Sequence, residues 1–126
     1  MLTYYPKGEL VIVTRNSVRS VKPEQAVSNI LGYTVGNDLT ARMFQSPDVA
    51  GGQFTYAKAF DKFAPMGPRL VHPSKFDASA SKLQTRVNGK TLQDSPLDFI
   101  FPVGELISFL SQGELNCMFL VSCELT

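Results

Sequence analysis

The 126 residues suit one domain, and a 44% hydrophobic share with only 18% charged residues describes a chain that fills a core and argues against disorder. Twelve basic and eleven acidic residues leave a net charge of +1 with no run of either sign, which argues against nucleic acid as a partner. No apolar stretch approaches the roughly 18 residues of a membrane span, and "MLTYYPKGEL" has neither a basic n-region nor an apolar h-region, so no membrane contact and a cytoplasmic location are expected.

In chain order, "ELVIVT" (9–14) reads as a strand that is apolar on both faces and therefore covered on both sides. "PEQAVSNIL" (23–31) reads as a helix with proline in its first turn and Val27, Ile30 and Leu31 as its apolar stripe. "GYTV" is a short strand, and "GNDLTARMFQ" (36–45) opens on turn-formers and continues into a run with helical spacing. Residues 46–68 are loop-like, with "YAKAFDKF" as their cluster of charge and aromatics, and "PRLVHP" is a short strand stopped by Pro73. "LQTRVNGKTLQDS" is a hairpin, because Leu83, Thr85 and Val87 alternate with polar residues before an Asn88-Gly89 turn. "DFIF" (98–101) is a further candidate strand. "VGELISFLSQ" places Val103, Leu106, Ile107 and Leu110 on one helical stripe, with Gly113 beyond its end, and "CMFLVSC" is a last apolar strand. The sum is an α+β domain, mainly β.

The two cysteines, Cys117 and Cys123, would stand about 20 Å apart on one strand, too far for a disulfide, and are read as small buried hydrophobes. With His72 as the single histidine, and that at a strand end, a zinc site is not expected.

Among charged side chains, Lys7 and Glu9 are two apart and face the same way on a strand. Glu9 adjoins a continuous hydrophobic run, where an ionised carboxylate is costly unless paired or bound to a cation. Spacing alone equally describes a solvated strand end. Asp38, Arg42 and Gln45 lie four and then three apart, one face of a helix. They read either as a surface pair worth ~0.3–0.5 kcal/mol with Asp38 as a cap, or as a site just past a strand. Lys58, among aromatics and prolines, is either a partly buried ammonium needing an anion or a snorkelling surface lysine, with Asp61 as a local mate.

"GELVIV", "GYTVGNDLTARMFQ", "KAFDKFAPMGPRLV" and "RVNGKTLQDSPLDFIFPVGELISFLSQG", taken in order over about residues 5–115, resemble the C-terminal catalytic domain of the fumarylacetoacetate hydrolase family. That group includes acylpyruvases, oxaloacetate decarboxylases and homoprotocatechuate-pathway isomerases. The resemblance implies a mixed-sheet β-roll of the fumarylacetoacetase C-terminal type. It also implies Mg²⁺ or Mn²⁺ held by carboxylates, two from a Glu-x-Glu on a strand and one from the Asp of the "GND" segment. Here those positions are Lys7, Glu9 and Asp38. Arg42, Gln45 and Lys58 match the residues that stabilise negative charge on the substrate in similar enzymes. The implied substrate is a 1,3-dicarbonyl or acylpyruvate-type 2-oxo acid, chelated by a Lewis-acidic metal that stabilises the enolate released by C–C hydrolysis, decarboxylation or a proton shift.

Three departures accompany the resemblance. Lys7 stands where the first metal Glu is expected, which deletes a ligand and weakens metal binding by adding a cation. No residue matches the upstream His and Glu of the family's lid. "SQGELNCMFLVSCELT" lacks the family's Pro-Gly turn and "TGTP" closing loop. The expectation is therefore one partial, incomplete domain over 1–126, shortened at both ends. Its uncovered edges and apolar surface would favour a homo-oligomer, or pairing with a related chain as a non-catalytic subunit.

Overall fold

The structure, a computed structural model, describes residues 7–113 together with the strand backbones at 4–5 and 120–123. It is α+β, mainly β. The strands are β1 (Tyr4–Tyr5), β2 (Gly8–Thr14), β3 (Ile30–Asn37), β4 (Thr40–Ala41), β5 (Lys82–Val87), β6 (Lys90–Pro96) and β7 (Leu120–Cys123). The α-helices are α1 (Pro23–Ala26), α2 (Pro47–Ala50), α3 (Thr55–Lys58) and α4 (Val103–Leu110). β2 is the centre of a sheet ordered β3-β2-β7, while β1 pairs with β4 and β5 with β6. Among the described residues every one of these pairings is antiparallel.

The hydrophobic run of β2 becomes a covered strand, as its lack of alternation requires: Glu9, Leu10, Val11 and Ile12 are all buried. Ile12 enters the main core with Val18, Ala26, Ile30 and Ile107, and Tyr33, Phe99, Val103, Leu106 and Leu110 pack around it. α4 is the expected amphipathic helix, with Ile107 fully buried and Phe109 70% exposed on the opposite side. It lies close to α1. A Cβ on Gly104 would stand 2.7 Å from the Pro23 carbonyl oxygen, so only glycine permits the approach. Ser111, just past α4, is buried and accepts at Oγ from the Val21 N–H at 3.0 Å, tying the loop after β2 to the helix end.

Five local expectations change. The helix over 23–31 ends as α1 at Ala26 and a 3-10 turn over Val27–Asn29; Ile30 already belongs to β3, opposite Thr14. Val27 and Leu31 are exposed and only Ile30 is buried, because pairing with β2 overrides the helical spacing. The "GYTV" strand is correspondingly longer. The run 36–45 is not one helix: it is the end of β3, a turn at Asp38-Leu39, β4, and a 3-10 helix at Arg42–Gln45. "DFIF" forms no strand, and Phe99 serves the core from irregular backbone. "PRLVHP" contributes one bridge, Val71 to Tyr33, which with Met66 to Gly36 covers the outer edge of β3.

The hairpin β5-β6 stands as expected. Asn88 and Gly89 have φ of 51° and 79°, the two positive values a type I′ turn demands. It packs on β2, where the Gly8 N–H donates to Thr85 Oγ1 at 3.1 Å. The last strand is present as β7; Cys117 and the side chain of Cys123 lie outside the described residues. Among the described residues, no helix is long and apolar enough to cross a membrane.

Candidate active site

Sheet register assembles the charged residues. Gly8 lies opposite Asn37 and Glu9 opposite Gly36 in the antiparallel pair β2-β3. Extending the ladder by one residue sets Lys7 against Asp38, and the Asp38 N–H does donate to the Lys7 carbonyl at 2.9 Å. Residues directly opposite share a face, as do residues two apart on a strand. Lys7, Glu9 and Asp38 therefore belong to one face of the sheet, and Leu10 and Ile12 serve the other. The turn after β3 is pinned by Asn37, whose Oδ1 accepts from the Lys7 N–H at 3.0 Å and whose N–H donates to the Pro65 carbonyl at 3.1 Å.

Lys58 reaches this face from twenty residues downstream: its Nζ forms an ion pair with Asp38 Oδ2. The same Nζ lies 3.4 Å from Thr40 Oγ1, and that hydroxyl donates to the Asp38 carbonyl at 3.3 Å. So Asp38, not Asp61, is the partner of Lys58. The side chains of Lys58 and Asp38 are 36% and 20% exposed, so water still screens the pair and its net worth is about 1 kcal/mol. Its value here is placement. α3 is held by the fully buried Ala57, and Lys58 follows it directly.

Arg42 and Gln45 form a second unit. Arg42 Nη1 donates to Gln45 Oε1 at 2.8 Å across the exposed 3-10 turn. Asp38 is not on that turn, so the expected line of carboxylate, guanidinium and amide on one helix does not exist. Aromatic rings join the two units instead. Phe44, inside the 3-10 turn, meets Tyr56 edge-on at 5.1 Å and Phe60 at 5.6 Å, and these two flank Lys58 in sequence. Phe60 meets Phe63 at 5.3 Å. Thr40, buried and within reach of both Asp38 and Lys58, is the member that spacing arguments passed over; its only sequence signal is a hydroxyl two residues after Asp38. His72 has a structural job, accepting at Nδ1 from the Ser74 N–H at 3.2 Å at the start of a short 3-10 turn.

As a cation site the face supplies oxygen only. Among the described residues no three His, Cys, Asp or Glu side chains gather in a metal-binding group. Glu9 and Asp38 remain, a hard-oxygen pair. Mg²⁺ keeps several waters and needs one or two protein carboxylates, so the donor chemistry fits, with Lys7 in place of a third anion.

The family model described as fumarylacetoacetate (FAA) hydrolase C-terminal matches residues 6–117. The chain is 46% identical over 106 residues to an uncharacterized protein of Archaeoglobus fulgidus, a match covering 83% of this chain and 40% of that protein. It is 41% identical over 109 residues to the oxaloacetate tautomerase YisK of Bacillus subtilis, covering 85% of this chain and 35% of the relative. Among solved structures, a 2-hydroxyhepta-2,4-diene-1,7-dioate isomerase from Mycobacterium marinum superposes with a TM-score of 0.76 at 40% identity, covering 86% of this chain and 41% of the other. The chain thus spans about two fifths of the length of these relatives. With a matching fold and sequence over nearly all of the described residues, the chain belongs to the fumarylacetoacetate hydrolase family.

Proposed function

We propose that the chain is the catalytic-domain part of an enzyme acting on a small enolisable 2-oxo acid, and that its reaction passes through an enolate. The observation that carries this reading is Lys58, brought onto Asp38 on the face that also holds the buried Glu9. The relatives named as a tautomerase and an isomerase favour a proton shift next to a carbonyl. Hydrolysis of a C–C bond in a 1,3-dicarbonyl or acylpyruvate, and decarboxylation, draw on the same stabilised enolate.

The roles follow from chemistry. Glu9 and Asp38 would hold Mg²⁺ or Mn²⁺, which supplies Lewis acidity at the substrate carbonyl when bound. Lys58 Nζ donates a hydrogen bond toward the oxygen where negative charge develops, a contribution of about 3 kcal/mol for a fixed donor. Arg42 suits a substrate carboxylate, since its guanidinium forms paired hydrogen bonds to such a group, and Gln45 orients it. Thr40 and Asp38 hold the Lys58 ammonium in place.

The test is the rate of oxaloacetate keto–enol conversion, followed by the loss of enol absorbance, with acylpyruvate cleavage run alongside. Lys58→Met should lower the rate on the active substrate by about 10²-fold with the fold intact. No acceleration by the parent chain on either substrate, with Mn²⁺ present, refutes the reading.

A second reading has its own observation. Ile100, Phe101 and Phe109 around α4 are 79%, 55% and 70% exposed, three large apolar side chains left to solvent near one helix. A subunit that pairs with its own copy or with a related chain, without catalysis of its own, would use such a surface. Sedimentation of the chain alone and with a full-length relative separates the two.

A further inference from the structure

The end of β2 that carries Lys7 and Glu9 is held from two sides. On one side is the end of β3: the Lys7 N–H donates to Asn37 Oδ1 at 3.0 Å, and the Lys7 carbonyl accepts from the Asp38 N–H at 2.9 Å. Alternation along the strand then turns the N–H of Gly8 to the opposite flank. That is the flank of β7, but among the described residues β7 pairs with β2 only from Leu10 to Val13. The hairpin β5-β6 supplies the missing partner. The Gly8 N–H donates to Thr85 Oγ1 at 3.1 Å, and the Thr85 hydroxyl donates in turn to Gln93 Oε1 at 2.8 Å.

The contact is shaped from both sides. A Cβ on Gly8 would overlap Thr85 Oγ1 and stand 3.3 Å from Gln93 Oε1, so glycine is what lets the hydroxyl reach the strand backbone. Thr85 and Gln93 are cross-strand partners at the edge of a β-bulge: the next pair is Arg86 with Thr91, which leaves Leu92 with no residue opposite. A bulge twists its strands locally and re-aims the side chains beside it. Because Gln93 takes the hydroxyl proton, the lone pairs of Thr85 Oγ1 are left for the Gly8 N–H. Gly8 lies between Lys7 and Glu9, so a shift of its amide moves both neighbours, and the Asp38 N–H follows through the Lys7 carbonyl.

We propose that Thr85 is a positioning residue for the candidate active site. Its hydroxyl, oriented by Gln93, fixes the Gly8 amide and so sets where Glu9 and Asp38 stand relative to each other. The inference rests on reading that sheet face as the site. The β5-β6 hairpin then belongs to the frame of the site, acting on it through one backbone amide.

The experiment is amide hydrogen exchange followed by nuclear magnetic resonance on the whole chain, as parent, Thr85→Val and Thr85→Ser. Thr85→Val keeps the side-chain shape and deletes the hydroxyl. Exchange at Gly8 should quicken about tenfold or more, and exchange at Lys7 and Asp38 should quicken with it, while Ile12 and Ile107 keep their parent rates. Thr85→Ser should restore all three. Gln93→Met should quicken the same three amides to a smaller extent, and serves as the second probe should Thr85→Val fail to fold. An unchanged Gly8, a change at Gly8 that stops short of Lys7 and Asp38, or a uniform rise that includes Ile12 and Ile107 overturns the inference. On the substrate accepted by the parent, Thr85→Val should lower kcat about tenfold with KM within about twofold, and Thr85→Ser should recover it. Unchanged turnover in Thr85→Val also overturns the inference and leaves the functional reading standing. A parent without turnover refutes the functional reading, and the amide pattern still decides whether Thr85 fixes this end of β2.

Discussion

Exchanging Lys7 for glutamate puts a third carboxylate beside Glu9 and Asp38 on the sheet face that β2 and the turn after β3 share. The magnitude follows from the register. Lys7 lies directly across from Asp38 and two residues from Glu9, so an ion shared by those two carboxylates would be within ~7 Å of its charged end. At that distance and an effective dielectric of ~20, one pair of unit charges interacts by about 2.4 kcal/mol. Reversing the charge at position 7 against a divalent ion multiplies this fourfold, to an upper bound of about 9 kcal/mol. Lys7 is half-buried, and water reduces the effect toward its bulk value, a quarter as large, which leaves roughly 2–3 kcal/mol. Lys7→Glu should therefore tighten Mn²⁺ or Mg²⁺ binding by about 10²-fold in calorimetry. The same variant should melt lower than the parent without metal, from like-charge repulsion, and recover on adding it. An unchanged metal affinity, with the variant folded, would mean that the side chain at position 7 does not face the ion.

Three further outcomes test the scaffold around the site. Thr40→Val should reduce turnover on the substrate accepted by the parent about tenfold while Thr40→Ser keeps it, because the hydroxyl near Lys58 matters more than the methyl. Gly104→Ala should lower stability by about 1–3 kcal/mol in urea denaturation, since a Cβ there meets the Pro23 carbonyl at 2.7 Å and α1 and α4 must separate. Hydrogen bonds from Lys82 and then Gln84 hold the Asp94 carboxyl below its ordinary range, so its hairpin contributes stability that is present above the unfolded pKa and lost as pH falls through the folded one. Thermal melts from pH 6 down to pH 2 should show a smaller acid-induced loss for Asp94→Asn than for the parent.

The elements that local rules describe best were legible in the residues. The I′ turn at Asn88-Gly89 is demanded by two positive φ values that few other dipeptides accept. The stripe of α4 needs only its own spacing, and β2 shows its burial by having no polar alternation until Glu9. What failed is where distant pairing outweighs local spacing. Ile30 satisfies a helical stripe, but opposite Thr14 it gains a ladder and a core position together. Asp38, Arg42 and Gln45 satisfy helical spacing too, yet the chain between them must first leave β3 and pair β4 with β1. Their joint membership of a site came from resemblance; structurally Arg42 closes on Gln45 and, separately, the Asp38 half closes on Lys58.

That half closes because of how β2 divides its work. Alternation sends Leu10 and Ile12 to one side and Glu9 and Val11 to the other, so a single seven-residue strand supplies the core and the charged face at once. A slip of β2 by one residue against β3 would turn Lys7, Glu9 and Val11 toward Ile30 and Ile107 and carry Ile12 out of the core. The energy of core burial thus enforces the register that brings the charges together, although the charges themselves contribute little to stability. Lys58 and Arg42, by contrast, ride on short helical turns outside the sheet, and their placement depends on the contacts among Phe44, Tyr56 and Phe60. Substitutions in the core should move both sets of groups at once, whereas loss of an aromatic ring should displace Lys58 and Arg42 while Glu9 and Asp38 stay where the sheet puts them.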